Sequence, residues 1–300
     1  MDSTAAVGTS LLFSRQDHVH PSDTSRAPII SPGLTGTPTA PTAPVGTNTT
    51  QIATTAFVRQ NFGSPATNLI INGDFRINQV GYVSAAALSA GTYGHDQWKA
   101  GATGGDYSFT QLKSSTQITI ASGKSLIQPV EDVNVVGGSY VLSWTGTAQA
   151  RAGVNTLTPS GSYAGSPLLI TGQTAGTVMS IEFNSGTLVG VKLESGASAT
   201  PFIMRPYEQE LQSCRRYYHK RSVDILQSAF GSGASVGAWF FHPVQMRAAP
   251  TVSSTGGALT NATTQGLDHA TVDGYRHYLA SNAAGDTALT GGVDVADARL

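Results

Sequence analysis

The chain has little charge and almost no cysteine. Of its 300 residues, 12% are charged, about half the share usual in soluble globular proteins. There is one cysteine, Cys214, so no disulfide can form within the chain. Lys plus Arg number 17 against 18 Asp plus Glu, a formal net charge of −1. No basic excess points to nucleic acid or to an anionic membrane surface. No apolar run reaches the length of a membrane span. The opening MDSTAAVGTS has neither the basic residues nor the apolar core of a secretory signal, so synthesis and folding in a cytoplasm are expected. Apolar residues are nevertheless plentiful beyond residue 66, which argues against general disorder. In place of Lys and Glu stand 34 glycines with Ser, Thr, Ala and Asn, a composition that suits short strands joined by tight turns.

The stretch from Gly33 to Phe62, GLTGTPTAPTAPVGTNTTQIATTAFVRQNF, divides into two halves. Prolines 38, 41 and 44 fix φ, remove donors and push their predecessors to extended geometry, so the first half is predicted to be extended chain. Asn48 with Gln51 three residues later resembles a capping box. Ile52, Ala53, Ala56, Phe57, Val58 and Phe62 follow, and Gly63 supplies a stop. The prediction is a helix of about 14 residues, near the length at which an isolated helix is marginal. Two readings stay open on the residues alone: a linker whose helix docks on its own domain, or a segment completed by identical chains lying beside it.

From 66 to 206 short apolar stretches alternate with turn residues. YSFTQL (107–112), QITIA (117–121), SYVLSW (139–144), PLLITG (167–172), TVMSIEF (177–183) and LVGVKLE (188–194) read as strands. Val178, Ser180 and Glu182 alternate with Met179, Ile181 and Phe183, and Val189, Val191 and Leu193 with Gly190, Lys192 and Glu194. Period two with one apolar face predicts a jelly-roll-like antiparallel β-sandwich of roughly eight strands. A parallel β-helix competes, but no repeat of short fixed period is present. Beyond Pro206, Tyr207, Leu211, Cys214 and Tyr218 share one face of a helix predicted over 207–220, with Arg215, Arg216, Lys220 and Arg221 at its C-terminal end. Strand-like runs at 235–246 and 270–281 complete a small α+β tip domain. The predicted fold is mainly β, divided as 1–32, 33–65 (extended segment plus short helix), 66–206 (β-sandwich) and 207–300 (tip).

Few constellations carry chemistry. His18 and His20 flank Val19; side chains two apart on an extended segment share a side, and imidazole suits iron, nickel, copper or zinc. Gly233 to Gly237 matches G-x-S-x-G around Ser235, but a nucleophile elbow needs a strand before it and a helix after it, whereas a turn and a strand are predicted here. A glycosidase would need two facing carboxylates; Asp96, Asp106, Glu131, Asp132, Glu182, Glu194, Asp268 and Asp273 are available. Trp98, Trp144, Trp239, Tyr217, Tyr218, Tyr275 and Tyr278 could each stack on a sugar ring. Trp98, beside Asp96, and the run Tyr275-Arg276-His277-Tyr278 supply the candidate ligand contacts: Trp98, Tyr275, Arg276 and Tyr278. A half-buried strand is the competing reading of that run.

The run TPTAPTAPVGTNTTQIATTAFV (Thr37 to Val58) resembles a segment found in tail fibre and related virion proteins of tailed bacteriophages. GTSLLFSRQDHVHPSDTSRA (Gly8 to Ala27), NLIINGDFRINQ (Asn68 to Gln79), YGHDQWKAG (Tyr93 to Gly101), RPYEQELQSCRRYYHK (Arg205 to Lys220), FHPVQMRAAPTV (Phe241 to Val252) and the terminal DARL add matches in the order seen in such fibres. The resemblance implies a homotrimeric structural fibre or spike of the virion. Other virion proteins would hold its N-terminal end, and its C-terminal region would bind a host-surface glycan or other receptor. It implies no enzymatic activity and no required cofactor, nucleic-acid partner or membrane insertion. A glycan-degrading tail spike and a head or collar fibre are the alternatives. On a threefold axis the His18/His20 pairs of three chains would converge on one transition-metal ion.

Overall fold

The computed structural model describes residues 36–44, 47, 49–62 and 67–300, and it divides into two compact units, Met1–Gly63 and Ser64–Leu300. The 1–32 segment, including His18 and His20, lies outside the described residues. Strand makes up 44% and helix 6%, so the fold class is mainly β, as the composition predicts. No described helix is long and apolar enough to cross a membrane.

In the first unit, residues 36–44 form neither helix nor strand. Helix α1 runs Thr55–Phe62, 8 residues, and starts later than the sequence predicts. Thr54 caps it: its Oγ1 accepts the Phe57 N–H at 3.1 Å and its carbonyl accepts the Val58 N–H at 3.0 Å, while Asn48 lies outside the described residues. At about two turns this helix is too short to be stable on its own propensity.

The second unit begins with a nine-stranded antiparallel sandwich. Strands β1 (Lys99–Ala100), β2 (Tyr107–Gln111), β3 (Thr116–Ile120), β4 (Leu126–Val130), β5 (Gly138–Thr145), β6 (Ala150–Gly153), β7 (Leu168–Gln173), β8 (Met179–Phe183) and β9 (Gly186–Ser195) form two sheets, ordered β1-β4-β8-β6 and β2-β3-β9-β5-β7. Their inner faces bury Tyr107, Ile118, Leu126, Leu142, Ile181, Phe183, Leu188 and Leu193. Strand β4 contains Pro129, which sequence rules disfavour; β1 pairs only with Leu126 and Ile127, so no β1 residue needs the donor that Pro129 lacks.

One expectation is corrected. The alternation in β8 and β9 predicts one wet face, yet every residue of β8 is buried, and so are Lys192 and Glu194. The Lys192 Nζ lies 3.1 Å from Glu194 Oε2, and the segment around Thr200 covers both. Thr200 donates its N–H and hydroxyl to the Glu194 carboxylate at 2.7 Å each, and Lys192 donates to Thr200 Oγ1 and to the Pro201 carbonyl.

Helix α2 (Tyr207–Arg215) also ends earlier than predicted. The Tyr217 N–H closes on the Cys214 carbonyl at 3.0 Å, and the Tyr217 hydroxyl and Arg216 guanidinium both bind the buried Glu131 carboxylate, at 2.7 and 3.0 Å. The next residue, Tyr218, is already in strand β10, so it does not continue the helical face. Strands β10 (Tyr218–Ala229), β11 (Ser235–Phe241), β12 (Thr251–Thr260), β13 (Ala262–Asp268), β14 (Gly274–Ser281) and β15 (Gly285–Asp297) form two further antiparallel sheets, ordered β10-β15-β12 and β11-β14-β13. Val223, Ile225, Leu279 and Leu289 are buried together, with Val236 and Phe240 against them. The Arg299 guanidinium sits 4.1 Å from both the Tyr93 and Tyr218 ring centroids, which ties the final residues to the first sandwich.

Candidate functional site

Strand β14 decides which candidates reach the surface. Its burial alternates strictly: Tyr275, His277 and Leu279 are buried, while Arg276, Tyr278 and Ala280 lie on the other face. Tyr275 is 0% exposed, and its hydroxyl donates to Asp294 at 2.8 Å. The same carboxylate oxygen lies 2.9 Å from His277 Nδ1, and His277 Nε2 is 3.1 Å from Gln265 Oε1. Burial, followed by the Asp294 interaction, pushes the Tyr275 phenol well above its ordinary range. Tyr275 is thus part of a polar network inside the fold and offers no ring to a ligand. Trp98 is likewise 0% exposed, packed 4.8 Å from Phe75 and donating its indole N–H to the Asn72 carbonyl at 3.1 Å. Both expectations of surface contact are corrected.

Arg276 and Tyr278 do belong to an outward face, and the register shows what joins them. Trp239, Arg276 and Asp268 lie in one row across β11, β14 and β13; Gly237, Tyr278 and Gly266 lie in the next. Trp239 is 54% exposed. The Tyr278 ring lies across Gly266, where an added Cβ would fall 2.5 Å from the ring Cζ. The Arg276 guanidinium stacks 5.2 Å from the Tyr278 centroid and forks onto Asp268, at 2.9 Å from Nε and 2.6 Å from Nη2. His269 Nδ1 meets the same carboxylate at 2.8 Å, and its ring is 5.7 Å from that of Trp239. The Arg276 and then the His269 hydrogen bonds hold the Asp268 carboxyl below the usual carboxylate range. The result is an outward-facing platform of two aromatic side chains beside a guanidinium–carboxylate pair. It combines ring faces with directional donors and acceptors, the mix that suits a sugar.

Asp268 stands among the carboxylates the sequence offers, but nothing in the sequence ties it, His269 or Gly266 to Arg276 and Tyr278; the register brings Asp268 and Gly266 beside them. Trp239 stood among the aromatic candidates, and the row across β11 and β14 sets it beside Arg276.

Apart from Asp268, which belongs to the platform, the carboxylates considered for acid–base chemistry have partners elsewhere. Asp96 is buried and accepts the Gln79 N–H at 2.7 Å; burial raises its pKa. Glu182 holds Arg151 at 2.6 Å, Asp106 accepts the Leu88 N–H at 2.7 Å, Asp132 accepts the Val133 N–H at 2.8 Å and Asp273 accepts from Gln245 at 3.2 Å. Ser235 opens β11 after a turn, and no helix follows it. No group of three or more His, Cys, Asp or Glu able to hold a metal occurs among the described residues.

No protein-family model matches the chain. Among solved structures, the native structure of recombinant discoidin II of Dictyostelium discoideum aligns with 77% of the chain and 92% of its own length, at 11% identity and a TM-score of 0.21. Wild-type discoidin II from the same organism aligns at 10% identity, with the same TM-score of 0.21, over 77% of the chain and 91% of its own. A stretch of 33 residues, 11% of the chain, is 73% identical to the "Probable tail fiber protein" of Escherichia phage P2, of which it spans 5%. The chain therefore carries a segment similar to one in a phage tail fibre protein.

Proposed function

We propose that the chain is a structural fibre or spike protein of a tailed-phage virion, homotrimeric, that attaches the particle to a host-surface glycan through its C-terminal sheets. The 33-residue segment at 73% identity to a tail fibre protein carries the first part of this reading. The Trp239–Arg276–Tyr278 platform supports the second. A single such platform is shallow and gives weak binding. Three per fibre and several fibres per particle convert weak contacts into durable attachment. The N-terminal end joins other virion proteins, and the short α1 helix and its extended lead gain partners from identical chains.

The test is binding of the purified protein to host envelope polysaccharide. Trp239→Ala should lower affinity by about tenfold, the loss of one ring's stacking. Unchanged affinity in that variant removes the platform from the reading. Release of reducing ends during the incubation would instead favour the glycan-degrading alternative.

A further inference from the structure

A cavity of about 260 Å³ opens where the end of α2, the start of β10 and the end of β11 meet. Arg215, His219, Lys220, Arg221, Phe241 and Pro243 line it. Among the described residues, no carboxylate lies within ion-pair distance of Arg215, Lys220 or Arg221. Lys220 donates to the Val80 carbonyl at 2.8 Å, and Arg221 to the Phe241 carbonyl at 3.0 Å while stacking 4.9 Å from the Phe240 ring. All of these partners are neutral. Asp294, opposite Arg221 in register, is occupied by Tyr275 and His277. Elsewhere Arg76, Arg151, Arg205, Arg216, Arg276 and Arg299 each hold a carboxylate. Arg215, Lys220 and Arg221 thus line one cavity without a carboxylate partner among the described residues.

His219, which lines the cavity, is buried against His242, with Nε2 and Nδ1 2.8 Å apart. Burial, then His242 and the neighbouring arginines, pulls the His219 pKa down to about 4, so the cavity's positive charge comes from the three fixed cations. Phe241 is 72% exposed at the rim. It follows Trp239 by two residues on β11 and so shares its face, which places the cavity's rim at the end of the strand that carries Trp239.

We propose that this cavity binds an acidic sugar of the host glycan. Its phosphate or carboxylate lies among Arg215, Lys220 and Arg221, its ring rests against Phe241, and adjoining sugars run over Trp239 and Tyr278. The inference rests on the glycan reading above. Guanidinium groups match phosphate and carboxylate oxygens in geometry, and a neutral sugar would leave the three cations uncompensated.

The test is calorimetric titration of the full chain with four probes. These are a phosphorylated lipopolysaccharide core oligosaccharide, its dephosphorylated form, an oligogalacturonate and its methyl ester. At least one acidic probe should bind about tenfold or more tightly than its neutral counterpart, and the gap should shrink in about 0.5 M salt. The phosphate and carboxylate arms identify the source of the charge. Arg215→Ala with Lys220→Ala should remove the preference and leave neutral binding unchanged. Arg215→Lys with Lys220→Arg should retain it, which separates lost charge from lost folding. Equal affinity for acidic and neutral probes, or a silent double-alanine variant, overturns the acidic site and leaves the glycan reading intact. Binding of no saccharide overturns both. A changed oligomeric state in Phe241→Ala would assign the face to contact between copies and overturn the acidic site.

Discussion

Tyr278 owes its position to what Gly266 lacks. A side chain at 266 would occupy the space where the Tyr278 ring lies, with Cζ 2.5 Å from the added Cβ. The obstructing atoms belong to the far end of a side chain that can swing away. Gly266→Val should therefore cost less than about 1 kcal/mol in denaturant unfolding, yet displace the ring and weaken glycan binding. Gly237, on the other side of the same row, is different: its added Cβ would meet the His277 carbonyl at 2.4 Å, and backbone cannot swing away. Gly237→Val should lose stability first. His95 sets a pH limit. It is buried, with Nδ1 2.7 Å from the Tyr107 hydroxyl, and burial pulls its pKa from 6.5 down to about 4. Its neutral form is the one the fold accepts. Its contribution is complete above about pH 6.5 and is lost as pH falls toward 4, on the order of 3 kcal/mol by that point. The melting temperature should fall across that interval, and His95→Gln should flatten the fall. Much of the platform was legible at this scale. Arg276 and Tyr278 stood out as an aromatic and a cation close together. The error of grouping Tyr275 with them was also legible, since residues three apart in a strand point to opposite faces.

Strands with alternating apolar residues are largely legible in the sequence, but β10 and β15 alternate and are missed: β10 starts inside the predicted helix and β15 has no predicted run. Strands β2, β3, β5, β7, β8 and β9 fall within a few residues of their predicted runs. Strands β12 and β13, with the sequences TVSSTGGALT and ATTQGLD, have almost no buried side chains, so the hydrophobic period that announces a strand is absent. Backbone pairing to β15 and β14 makes them strands instead. Helix α2 was drawn too long for the converse reason: the pattern continued, but Glu131, distant in sequence, captures Arg216 and Tyr217. The dry outer face of β9 has a nearer cause: the chain just beyond the strand, at Thr200 and Pro201, folds back over Lys192 and Glu194. The Lys192–Glu194 pair there gives an element-scale test. Lys192→Met leaves a buried carboxylate without its cation and should cost about 3 kcal/mol in chemical denaturation. Adding Glu194→Leu should recover most of that loss. If the double variant is no more stable than the single, the pair's value lies in the Thr200 hydrogen bonds to Glu194 instead.

For the whole molecule, the fibre proposal stands or falls on assembly. The second unit buries its own core, but α1 in the first is two turns long and residues 36–44 before it form neither helix nor strand. The proposed trimer would supply such a segment with the contacts it lacks. Light scattering should return about three times the 31.0 kDa chain mass. Deleting residues 1–63 should reduce that mass toward a single chain while the sandwich still melts cooperatively. Avidity follows from the same geometry. Three linked platforms meeting a dense glycan surface should hold it about a hundredfold or more tightly than each meets a soluble oligosaccharide, whereas the truncated chain should show nearly equal affinities in both formats. Surface binding by the truncated chain as tight as that of the full chain would mean that the platforms act singly. The first unit would then serve to place the protein on the particle and contribute nothing to attachment strength.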